Sequence, residues 1–119
     1  MRLFFFTLAF GSSLAAFAGN AEAEITIPLP LDTAVDRNLI DYDCGDLSIN
    51  VEYINAGPVS LAVFAYEGEP VVASNVLAAS GARYAGGRFI WWTKGADATL
   101  YDLTLGEDAP PAAECRQTG

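Results

Sequence analysis

Turn-forming residues recur at such short intervals that no long element fits between them. Asn55-Ala56-Gly57-Pro58, Glu67-Gly68-Glu69-Pro70, Gly81, Gly86-Gly87 and Gly95-Ala96-Asp97 cut the chain into pieces of strand length. The first piece alternates Leu47, Ile49, Val51 and Tyr53 with Ser48, Asn50 and Glu52, the period of a half-buried strand. Val59 to Tyr66 reads as a second strand, and Val71 to Ala79 as a third that Ser74-Asn75 interrupts. A short segment surrounds Tyr84, Arg88 to Lys94 is aromatic and strand-forming, and Ala98 to Leu105 follows the last turn. No helical periodicity emerges after residue 24. The chain is therefore expected to be all-β, a small antiparallel barrel or sandwich. Pro110-Pro111 marks the tail, residues 107–119, as irregular except where Cys115 ties it down.

The N-terminus has a different grammar. Met1-Arg2 supplies a positive start, Leu3 to Phe10 is nearly all apolar, and Ala16-Phe17-Ala18 and Ala21-Glu22-Ala23 are small-residue cleavage patterns. This is the layout of a signal peptide, residues 1–23, with cleavage after Ala23 and Ala18 as the second choice. The competing reading, an uncleaved anchor helix, is disfavoured because Gly11-Ser12-Ser13 breaks the run and no basic stop-transfer cluster follows. No cysteine lies near the cleavage region to take a lipid, so no lipid anchor is expected. Residues 24–38 form an extended N-terminal segment ahead of the domain at 39–119. In it Ile25, Ile27, Leu29 and Leu31 alternate with Thr26, Pro28 and Pro30, and residues 32–38 read as a polar connection. Both prolines fall on even positions, which suits an edge with one side unpaired.

Export places the two cysteines in an oxidising compartment. A Cys44–Cys115 disulfide would close most of the domain, and loop entropy credits it with about 4 kcal/mol. A domain this small benefits from such a staple.

Composition narrows the function. The chain has no histidine, so the usual general base of Ser and Cys nucleophiles is missing, as is the commonest nitrogen ligand of zinc. Fifteen Asp and Glu against six Lys and Arg give a formal net charge of −9, which argues against nucleic acid and anionic lipid. It favours a cationic partner, or solubility alone. Asp41-Tyr42-Asp43-Cys44-Gly45-Asp46 with Glu52 imitates a calcium loop. Gly45 occupies a ligand position, however, and a strand pattern follows where a helix should begin. The acids form no pair placed by a hydrolase motif. No catalytic residue, metal or cofactor is expected. Trp91 and Trp92 must face opposite sides of their strand, one in the core and one as a surface ring. Arg83, Arg88 and Lys94 gather cations into the glycine-punctuated part of an acidic chain; local charge balancing explains this as readily as a binding role.

Ser80-Gly81-Ala82-Arg83-Tyr84, Trp92-Thr93-Lys94-Gly95, the opening Tyr42-Asp43-Cys44-Gly45-Asp46-Leu47 and the closing Cys115 together resemble the bacterial inhibitors of c-type lysozyme. That family comprises membrane-bound (MliC) and periplasmic (PliC) proteins, and the missing lipid-accepting cysteine points to the soluble periplasmic branch. The resemblance implies a barrel of about eight antiparallel strands, with Cys44–Cys115 as the family disulfide. It further implies that Ser80 enters the lysozyme cleft and bonds the catalytic carboxylates. Lys94 would pair there electrostatically, and Tyr84 would support the loop or touch the enzyme. Gly81 lets the loop turn, and Arg83 adds charge beside it. The expected partner is c-type lysozyme, met by a monomer or weak homodimer in the periplasm or outside the cell. The rival reading is an envelope module that binds glycan or another envelope protein on the same barrel.

Overall fold

The computed structural model describes Gly11 and residues 23–118, so nearly all of the expected signal peptide lies outside the described residues. Two compact units divide the chain, Met1–Pro30 and Leu31–Gly119. In the first, residues 23–30 join no strand ladder and are exposed, Ile25 and Ile27 among them. The two prolines remove backbone donors from one edge, and the expected edge strand is not formed.

In the second unit, eight strands follow in order: β1 (Asp36–Asp43), β2 (Ser48–Ala56), β3 (Val59–Tyr66), β4 (Glu69–Val76), β5 (Ala82–Gly86), β6 (Phe89–Lys94), β7 (Asp97–Asp102) and β8 (Ala113–Gln117). Each pairs antiparallel with the next, and β8 returns to β1 to close the barrel. Closure is thin at this seam. Only Tyr42↔Gln117 and Asp43↔Arg116 pair across it, whereas β1 and β2 match over the whole of β1. The Cys44–Cys115 disulfide lies beside those two pairs and staples the narrowest ladder in the barrel.

Period-two alternation fills the interior. Ile49, Val51, Phe64, Trp91 and Leu100 point inward, and Ala62, Ala73, Ala98 and Ala113 supply the small residues that let large ones fit. Trp91 is fully buried, its ring meeting Tyr42 edge-on at 5.0 Å and Phe64 at 5.4 Å. Its indole N–H donates to the Tyr53 hydroxyl (2.8 Å), which also bonds the Tyr42 hydroxyl (2.8 Å). Burial pushes the Tyr53 phenol well above its ordinary pKa.

Four sequence readings change. The polar connection ends early, because Asp36, Arg37 and Asn38 already ladder with Asn55, Ile54 and Tyr53. The third strand stops at Val76; Leu77 is 97% exposed, and residues 77–81 form a loop. The strand read over Ala98–Leu105 ends at Asp102. Its carboxylate accepts from the Thr104 backbone N–H (3.0 Å) and caps a short 3₁₀ turn, Leu103–Leu105. The tail is irregular only as far as residue 112: Ala113 and Cys115 face inward and Glu114 and Arg116 outward, the alternation of a closing strand too short to stand out in sequence.

Candidate functional site

In an up-and-down barrel, alternate connections share an end. The β2–β3 turn, the β4–β5 loop and the β6–β7 hairpin therefore lie on one rim, the β3–β4 and β5–β6 turns on the other. This places Ser80 and Lys94 on the same rim although fourteen residues separate them in the chain.

Contact between their segments is close. Gly81 has φ +65, and a Cβ there would lie 2.1 Å from the Thr93 carbonyl oxygen and 2.9 Å from Lys94 Cγ. Only glycine permits both the dihedral and the approach. Ala82 pairs with Thr93 and Arg83 with Trp92, so the loop is registered on β6 immediately after its turn. The Trp92 indole N–H then donates to the Ser80 carbonyl oxygen at 2.8 Å. Lys94 Nζ lies 4.8 Å from the centre of the same ring and Arg83 Cζ 5.6 Å from it. One outward-facing indole thus touches every charged or hydroxyl-bearing segment of the expected site. Alternation along β6 had put one of Trp91 and Trp92 at the surface without choosing between them; the structure makes Trp92 that ring, places it against Arg83 and Lys94, and bonds it to Ser80.

Ser80, Gly81 and Lys94 are exposed and Arg83 is half-buried. Tyr84 is 8% exposed and faces inward, its ring 5.6 Å from that of Tyr53. Of its two expected roles, this position suits support of the loop from beneath.

The cationic cluster divides. Arg88 is at the opposite rim, bound to Glu69 (3.0 Å) and Asp102 (3.2 Å), because the length of β5 lies between it and Arg83. Hydrogen bonds from Thr104, helped by Arg88, hold the Asp102 carboxyl below its ordinary range. Arg37 pairs with Glu52, and Arg116 approaches Asp97 at 3.9 Å. Among the described residues, Arg83 and Lys94 pair with no carboxylate. Lys94 sits opposite Asp97 in the ladder, yet its ammonium lies over Trp92.

Among the described residues no three His, Cys, Asp or Glu side chains gather as a metal site. Asp43 instead accepts from the Gly45 N–H (2.9 Å) and closes the turn after β1. A stapled antiparallel barrel that presents an exposed hydroxyl and two carboxylate-free cations on one rim has the build of a binding protein. Comparison with known proteins narrows that class. The family model described as "Membrane-bound lysozyme-inhibitor of c-type lysozyme" matches residues 42–108. Membrane-bound lysozyme inhibitors of C-type lysozyme from Cupriavidus necator and Pseudomonas aeruginosa are 42% and 41% identical to this chain. The alignments cover 89% of this chain and 82% of the first relative, and 76% and 73% for the second. The crystal structure of Pseudomonas aeruginosa MliC in complex with hen egg white lysozyme superposes with a TM-score of 0.67 at 39% identity. That match covers 82% of this chain and 99% of the other. The chain belongs to the MliC family, a family of inhibitors and not of enzymes.

Proposed function

We propose that this protein inhibits c-type lysozyme by placing Ser80 and Lys94 in the enzyme's active-site cleft. One observation carries the reading: in a molecule of net charge −9, the two cations that pair with no carboxylate among the described residues lie on one rim with an exposed serine. C-type lysozyme holds one protonated and one ionised carboxyl in its cleft, a contrast that is a standard example of pKa tuning. A serine hydroxyl both donates and accepts, so it can satisfy either form. The Lys94 ammonium supplies the counter-charge for the ionised one, and exclusion of water strengthens that attraction. Arg83 lies behind it on the other strand of the same site. The acidic body draws a basic enzyme from a distance, an attraction that salt weakens.

The place of action follows from the N-terminal pattern: export through a signal peptide cleaved after Ala23, then residence in the periplasm as the soluble branch. Cys44 and Cys115 are committed to one another, so neither carries a lipid.

The test is inhibition of cell-wall lysis by c-type lysozyme. Ser80→Ala and Lys94→Ala should each weaken inhibition about 5- to 150-fold, the range of one lost charge-assisted contact, with the melting temperature unchanged. Two variants as potent as the parent would refute the site assignment. A parent with no effect on lysis would refute the function.

A further inference from the structure

A second polar concavity lies on the same rim, where the described residues leave the barrel wall incomplete. β8 pairs with only two residues of β1, and beyond them the Thr118 N–H reaches the Asp41 carbonyl oxygen (3.0 Å). The Asp41 carbonyl therefore faces the β8 side. Backbone groups alternate sides along a strand, so those of Leu39 and Arg37 face the same way, past the end of β8. Between this open edge and the β6–β7 hairpin is a cavity of about 430 Å³, walled by Asn38, Tyr42, Tyr53, Asn55, Thr93 and Gln117. That volume lies within the range of small-ligand sites.

We propose that this barrel mouth binds a neutral N-acetylated sugar unit. No Asp, Glu, Lys or Arg lines it, an exception on so acidic a surface. A charged ligand would leave water and find no counter-charge. A purely apolar one would strip water from the amides of Asn38, Asn55 and Gln117 and return nothing. A ligand rich in both donors and acceptors meets neither penalty.

Hydrogen counting at the floor sharpens the choice. The Tyr53 hydroxyl accepts from Trp91, and it shares one hydrogen with the Tyr42 hydroxyl. Whichever of the two phenols donates in that bond, the other retains a hydrogen to give. Burial keeps Tyr53 protonated through the physiological range, so the pair remains a donor. Sugar hydroxyls supply acceptors for it and partners for the side-chain amides. An acetamido group carries an N–H and a C=O like those of a peptide, the complement of the open edge at Leu39. Leu39 and Ile40 also line the opening, but the amides of Asn38, Asn55 and Gln117 and the hydroxyls of Tyr42, Tyr53 and Thr93 outnumber them, which favours a sugar over a peptide.

The inference stands apart from lysozyme inhibition, since neither the enzyme nor Lys94 enters its test. The ¹⁵N-labelled protein is titrated with N-acetylglucosamine and, separately, with N-acetyl-trialanine amide. The sugar should give saturable amide shifts at Asn38, Leu39, Asn55, Thr93 and Gln117. Asn55→Leu and Gln117→Leu should each weaken binding about tenfold, as expected for one lost hydrogen bond, with folded spectra retained. Absence of saturable shifts, equal binding by both variants, or the same shifts produced by the peptide at lower concentration would overturn the proposal.

Discussion

The two rims of the barrel use the same kind of residue in opposite ways. At one, Arg88 is held between Glu69 and Asp102, and its charge is spent inside the molecule. At the other, Arg83 and Lys94 rest against an indole that attracts them without neutralising them. In a chain with a large excess of acids, a cation left without a carboxylate is the informative one. The difference separates charge that balances the fold from charge available to a partner.

The harshest way to break that comparison is to open the seam on which both rims depend. Cys115→Ser should cost about 2–5 kcal/mol of stability, measured by denaturant unfolding, because among the described residues only two residue pairs and the Thr118–Asp41 hydrogen bonds would then hold β1 to β8. High pH attacks the floor beneath the binding rim. The folded state raises the Tyr53 pKa, so its contribution is complete below the ordinary phenol value near pH 10 and is lost as pH rises above it. Stability should fall above pH 10 by up to about 1.4 kcal/mol per pH unit. Tyr53→Phe should flatten that slope in a pH series of melts.

Trp92→Phe sharpens the contrast at the binding rim alone. It keeps a ring for Arg83 and Lys94 but removes the N–H that holds the Ser80 carbonyl. Inhibition should weaken about tenfold through faster dissociation, with the melting temperature little changed. Arg88→Ala should do least. Its ion pairs are half-exposed, so stability should change by no more than about 1 kcal/mol, with lysozyme inhibition unaltered in the lysis assay.

Alternation and turn chemistry are local, and they made β2, β3 and β6 legible almost to the residue. β8 was missed because five residues with two small inward side chains carry too little pattern to be read without the neighbour they pair with. The start of β1, residues 36–38, was missed because all three residues are polar and exposed, so no alternation marks them, and their strand character comes from pairing with β2. At the candidate site, the family resemblance picked out Ser80, Gly81, Arg83, Tyr84 and Lys94, while the scarcity of cations grouped Arg88 with Arg83 and Lys94. Chain proximity misled there, since a five-residue strand carries Arg88 to the other end.

The sequence by itself determined that this is a small all-β domain with one staple, an acidic body and a glycine-dependent loop, because each of these follows from residue type and short-range order. Tertiary structure alone decided which cations are free, which tryptophan joins Ser80 to Lys94, and where the wall is left open. Those outcomes depend on barrel closure, which sets residues distant in the chain side by side and gives each charge its neighbour.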